Sequence, residues 1–226
     1  MDQLLANLIA ASLAFVGTHF ALSHPLRRAV TGAVGEKGFQ AVYSLVALAT
    51  FAWMVLAFRA VPIGVPAWNG QSDLAWAIAT AVMLVASVLL VGSFLGNPAL
   101  PAPNAANLAK HGPHGVFFIT RHPMMWSFTF WGLAHVLVSP TPRVIVLSGA
   151  LAILALAGSR MQDRKKEVLM GGAWSQWERK TSFWPRFGGL ARSGAVPWIG
   201  GIALWLGASW LHGWLIGIPA GVWRWI

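Results

Sequence analysis

The sequence predicts an all-α, polytopic membrane bundle of about six transmembrane helices plus one helix at the cytoplasmic interface. Three observations predict it. The 226 residues are 57% hydrophobic and only 10% charged, with mean hydropathy +0.63, whereas soluble domains carry about 25% charged residues. Several apolar runs are as long as a bilayer is thick. The formal net charge of +10 is concentrated between those runs, as the positive-inside rule requires. No basic stretch interleaves aromatics for base stacking, which argues against nucleic acid as a partner. With no cysteine, disulfides, thiolate zinc sites and iron–sulfur clusters are excluded.

Six spans are expected in one domain over residues 1–226, at roughly 3–23, 39–60, 73–95, 115–138, 143–160 and 196–216. Met1-Asp2-Gln3 is not a basic leader, so the first run reads as a retained helix. The fourth span begins either at Pro123 or near Gly115, with Pro123 then acting as a kink. Ser139-Pro140-Thr141-Pro142 is a tight turn into the fifth span. The breaker-rich segment from Gly96 to Asn104 is expected to be extended and able to close over a cytoplasmic site. Asp163 to Lys180 reads as one polar interfacial helix, with Trp174 and Trp177 as anchors.

The fourteen tryptophans read as interfacial belts, Trp223 and Trp225 among them. Gly213-x-x-x-Gly217-x-x-x-Gly221 is either a close-contact face, such as a homodimer would use, or ordinary glycine frequency in membrane helices. Segments 24–38, 96–122 and 161–195, with Arg160 at an edge, hold 13 of the 16 Lys and Arg residues. Those segments are therefore expected in the cytoplasm, with both termini on the other side of the membrane.

Two histidines carry the functional interest. His19 and His135 sit inside apolar spans, where an ionisable group is costly and usually functional. Each is read either as a buried neutral imidazole bonded to a carbonyl or as a metal ligand. As a pair on separate spans they suit axial ligation of a haem, necessarily b-type without cysteine. Their depths differ: His19 lies about 9 Å along the axis from Pro25, and His135 about 18 Å from Pro123. A tilted haem or a deeper start to the fourth helix reconciles the two. His24 is roughly 140° around the helix from His19 and reads as a helix-end residue. Arg121 and His122, at the cytoplasmic edge before Pro123, suit a phosphate or carboxylate, or simple positive-inside anchoring. His111 and His114 read as solvated loop residues or weak metal ligands, and His212 is a third, outer candidate.

Over nearly its whole length the chain resembles the NnrU family of bacterial membrane proteins. The resemblance rests on the run Thr18 to Ser23, the stretch Gly35 to Ser44, Ile119-Thr120-Arg121-His122-Pro123, Gly132-Leu133-Ala134-His135, and the run from Asp163 through Trp177 to Ser182. That family is named for a role in nitrite and nitric oxide reductase expression. It is similar to plant zeta-carotene isomerase, a haem b enzyme whose two histidine ligands map onto His19 and His135. The resemblance therefore implies haem b at those two residues, with Arg121 and His122 as candidate contacts to the haem propionates. Isoprenylcysteine-type methyltransferases are more distantly similar. They share Arg-His-Pro, but their acidic pair is broken here, because Arg164 follows Asp163.

Four functions follow: a haem b protein of nitrogen-oxide metabolism binding a small gaseous ligand, a haem-dependent isomerase of an apolar polyene, a lipid methyltransferase, and a non-catalytic accessory protein.

Overall fold

Helix breakers set where the apolar runs stop. The computed structural model describes residues 3–100 and 103–226. Met1 and Asp2, on which the reading of the N-terminus depends, and Pro101 and Ala102 of the expected loop, lie outside the described residues. Eight α-helices are described: α1 (Gln3–Ser23), α2 (Arg27–Ala60), α3 (Asp73–Gly92), α4 (Ala105–His111), α5 (Pro123–Val138), α6 (Pro142–Met170), α7 (Gly172–Lys180) and α8 (Ala195–Ile216). No strand occurs among the described residues. The all-α membrane bundle is what the sequence predicts. Helices α1, α2, α3, α6 and α8 are long and apolar enough to cross a bilayer.

The boundaries differ from expectation in four places, each for a physical reason. First, α2 begins at Arg27 rather than near 39, but Gly35 breaks it internally at φ 72°, a conformation glycine adopts without penalty. Second, the fourth span does not start at Gly115. Residues Gly115–Phe118 form a 3-10 turn, and α5 opens at Pro123. Proline favours the first helical turn and pushes the residue before it out of helix. With 16 residues, α5 is about 24 Å long, shorter than the ~30 Å apolar core of a bilayer.

Third, Asp163 to Lys180 is not one interfacial helix. α6 continues to Met170, Gly171 turns the chain at φ 53°, and α7 follows. Trp174 and Trp177 are fully buried rather than interfacial, because α7 is amphipathic and turns them into the core. Fourth, the glycine repeat is not a helix stripe. α8 ends at Ile216, Gly217 caps it in the left-handed conformation, and Gly221 also has positive φ. Trp223 is likewise tied inward, its Nε1 donating to Leu206 O at 3.2 Å and Ser209 Oγ at 3.1 Å. Trp225 remains exposed, together with Trp184, Trp210 and Trp214, as the belt reading expects.

The chain forms two compact units, Met1–Gly70 with His135–Leu154, and Gln71–Ala134 with Ala155–Ile226. In the first, Leu8, Ala11 and Phe15 of α1 pack with Met54 and Ala57 of α2 and with Leu147 and Leu151 of α6. The segment after α2 docks on the predicted Ser139–Pro142 turn: Ala67 N donates to Pro140 O at 2.9 Å, and Trp68 Nε1 to Leu137 O at 3.1 Å. In the second, Val88, Leu89, Phe117, Ile119, Trp126, Trp174, Trp177 and Phe183 form the core. Here α3 and α8 meet so closely that a Cβ on Gly201 would lie 2.7 Å from Val88 Cα, the small-residue contact typical of membrane helices.

Gly201→Val should therefore cost about 1–3 kcal/mol through overpacking, read as a lower melting midpoint of the detergent-purified protein. Gly207→Ala, with open space around it, should leave the midpoint unchanged or raise it.

Candidate functional site

Two stretches that are distant in sequence pair in space. Each is kept out of helix by a nearby proline, Pro123 or Pro185. Arg121 N donates to Ser182 O at 2.8 Å, and Arg186 N donates to Ile119 O at 2.9 Å. The Phe183 carbonyl accepts from Thr120 Oγ1 and from Trp126 Nε1, both at 2.8 Å. These four bonds hold Arg121 and His122 at the buried start of α5, turned toward α6.

There Asp163 accepts both side chains. Arg121 grips it with Nε at 3.0 Å and Nη2 at 2.8 Å from Oδ2, the fork geometry that favours arginine over lysine. His122 Nε2 lies 2.9 Å from Asp163 Oδ1. A carboxylate only accepts, so Nε2 carries the proton, and in the neutral ring Nδ1 holds the lone pair. That Nδ1 is buried without a hydrogen-bond partner. Glu178 of α7 closes the group, its Oε1 3.3 Å from Arg121 Nη2. The Phe183 ring lies beneath Arg160 at 4.4 Å and Arg121 at 5.5 Å. Burial raises the Glu178 carboxyl above its usual range, and the Asp163 charge pushes the same way; Arg121 opposes both.

The segment after α3 covers this cluster, but its described residues run in turns and bends rather than extended, Leu100 N donating to Asn97 O at 3.2 Å. Lys166 Nζ holds the Pro98 and Leu100 carbonyls at 3.1 and 3.4 Å, and Gln162 Nε2 holds the Ala99 carbonyl at 3.3 Å. Between cover and cluster is a cavity of about 20 Å³, lined by Asn97, Leu100, Arg121, His122 and Met125 among others. That is room for about one water molecule. An oriented His–Asp pair with one free imidazole nitrogen can accept or pass a proton there.

The other candidate residues are placed elsewhere. In α1, His19 Nδ1 lies 2.7 Å from Phe15 O. The ring stacks on Phe15 at 4.3 Å and meets Tyr43 at 5.5 Å. His135 is in the last turn of α5. His19 and His135 belong to the first compact unit, and Arg121 and His122 to the second. His24 follows the end of α1 in a turn, its N–H bonded to Phe20 O at 3.1 Å, which matches its helix-end reading. His111 ends α4 with Nδ1 2.7 Å from Asn107 O. His114 is not a simple solvated loop residue: Nε2 lies 3.1 Å from Leu95 O and the ring packs on Phe117 and near Trp177. His212 Nδ1 lies 2.9 Å from Ile218 O. No group of three or more His, Asp or Glu poised for a metal ion occurs among the described residues.

Residues 7–220 match the family model described as NnrU protein. The chain belongs to the NnrU family. No curated protein and no solved structure matches it. The matched range covers His19 and His135, Arg121 and His122, and the Asp163–Glu178 cluster of this NnrU-family chain.

Motif reading reaches Asp163 only as the remnant of a broken acidic pair, and it passes over Glu178. The chain has only six carboxylates, and Asp163, Glu167 and Glu178 fall within one short stretch. In so apolar a chain that scarcity is the signal, and Asp163 and Glu178 both answer Arg121.

Asp163→Ala should destabilise by about 3–5 kcal/mol, since it strands a buried arginine; chemical denaturation in detergent measures this. For Glu178 the pH dependence has a definite sign. Between the ordinary 4.5 and the raised native value, the folded state keeps a proton that the unfolded chain has released. Stability should therefore fall as pH rises through that window. Glu178→Gln should flatten the dependence of the melting midpoint on pH there.

Proposed function

We propose that this NnrU-family protein is a haem b protein of the bacterial inner membrane, with His19 and His135 as the axial ligands, acting in nitrogen-oxide metabolism. The hydrogen bond from His19 to Phe15 O carries the reading. A carbonyl oxygen only accepts, so Nδ1 carries the proton and Nε2 keeps its lone pair. Metal-ligating histidines are usually held in this way, their second nitrogen bonded to a backbone carbonyl. The aromatic contacts of Phe15 and Tyr43 fix the ring and keep its surroundings apolar. That His135 falls in the same compact unit supports pairing the two. The donor set fits a b-type haem, which two imidazoles can hold without a thiolate.

When bound, haem supplies an iron centre for electron transfer or for a small ligand such as nitric oxide. This chain's part is to present two neutral imidazoles within an apolar bundle. Arg121 and His122, the expected propionate contacts, are engaged within the second unit, both by Asp163 and Arg121 also by Glu178. The clustering of cations in segments 24–38, 96–122 and 161–195 supports cytoplasmic placement for those segments and periplasmic termini.

A second reading, methyl transfer from S-adenosylmethionine to a lipid, draws on the Arg121–His122–Asp163 cluster. Glu178 supplies there the second carboxylate that Arg164 removes from the expected pair. Calorimetry with S-adenosylmethionine tests it, and an absence of heat removes it.

His19→Ala and His135→Ala should each abolish or strongly shift the Soret band of the purified, haem-reconstituted protein. Full wild-type bands in both variants would sink the haem assignment. A band that shifts with nitric oxide favours the nitrogen-oxide role, whereas altered pigment in cells accumulating cis carotene favours the polyene isomerase.

A further inference from the structure

We infer that a pocket formed by residues 180–192 and the loop before Phe118 binds a phosphate group. The pocket encloses about 510 Å³ and is lined by Lys180, Thr181, Arg186, Gly189, Arg192 and Phe118, among others. That volume is within the usual range for small-molecule sites, about 300–1,000 Å³. Three of its lining side chains are cations and none is an acid. None of the three makes an ion pair among the described residues. No Asp or Glu follows Glu178 in the sequence, and Glu178 faces Arg121 instead. Like charges gathered in one concavity repel unless an anion joins them.

The arrangement is built rather than incidental. Arg192 is held with its guanidinium carbon 3.7 Å from the centre of the Phe118 ring, which fixes where its donor fork lies. The 187–192 turn reaches Phe118 only because residue 189 is glycine: a Cβ there would lie 2.6 Å from Phe118 O. Two arginines and a lysine are the side chains best suited to phosphate oxygens, the arginines bidentately and the lysine as a point charge. On the same segment Trp184 and Phe187 are 59% and 52% exposed. Aromatic side chains of this kind settle at the level of lipid head groups. The phosphate therefore comes either from an anionic phospholipid head group or from a soluble phosphate compound.

The full-length protein in non-ionic detergent separates these sources. Native mass spectrometry counts retained phosphatidylglycerol against phosphatidylcholine, and titration calorimetry measures inorganic phosphate. Both are repeated on the triple variant Lys180→Gln/Arg186→Gln/Arg192→Gln. The charge-matched control Arg28→Gln/Lys37→Gln/Arg164→Gln changes exposed cations outside the pocket. Preferential retention of phosphatidylglycerol, weakened about tenfold or more in the pocket variant but not in the control, establishes a head-group site. Saturable binding of inorganic phosphate with the same pattern establishes a soluble-phosphate site. The inference is overturned if neither probe binds, or if pocket and control variants lose binding equally.

Discussion

A carboxylate in an apolar bundle must be answered by cations, and much of one unit is arranged around answering Asp163. Its side chain is 8% exposed, yet it meets both the Arg121 fork and His122. An unanswered charge there would cost several kcal/mol. To deliver the two partners, the chain leaves helix between Phe118 and Pro123 and pairs with residues 182–186. It also buries Trp126 and Phe183 beneath them. α5 is short because its first turn begins inside the fold at this cluster, not at the surface.

The long helices, the Ser139–Pro142 turn and the covering segment after α3 were legible in the sequence, because hydropathy and proline act locally. The cluster was only half legible. Arg121 and His122 stand beside a proline at the end of an apolar run, whereas Asp163 and Glu178 become their partners through tertiary contacts some forty to sixty residues away. One helix from Asp163 to Lys180 is broken at Gly171, where the Gly171-Gly172 pair marks the turn although the polar periodicity continues across it. Trp174 and Trp177 were misplaced for the same reason. Tryptophan frequency alone does not separate a lipid-facing ring from one turned inward by an amphipathic helix.

His19 differs from His122 in what orients it. His19 is set by a backbone carbonyl within its own helix, which needs no partner charge and suits a neutral ligand nitrogen. His122 is set by a carboxylate and an arginine, which suits proton transfer or charge balance. The basic pocket at Lys180, Arg186 and Arg192 is a third environment, with positive charge left unanswered by the chain. The three environments follow from how few acids the sequence holds: Asp163 and Glu178 are committed to Arg121, Glu36 to Arg27 and Asp73 to Arg224, and Lys180, Arg186 and Arg192 are left for lipid, solvent or ligand.

The pyridine haemochrome spectrum of the purified protein tests most directly whether the proposed His19 and His135 pair holds haem b. A b-type haemochrome approaching one haem per chain after reconstitution is expected. A colourless protein that takes up no haem under those conditions would contradict it and return both histidines to packing roles.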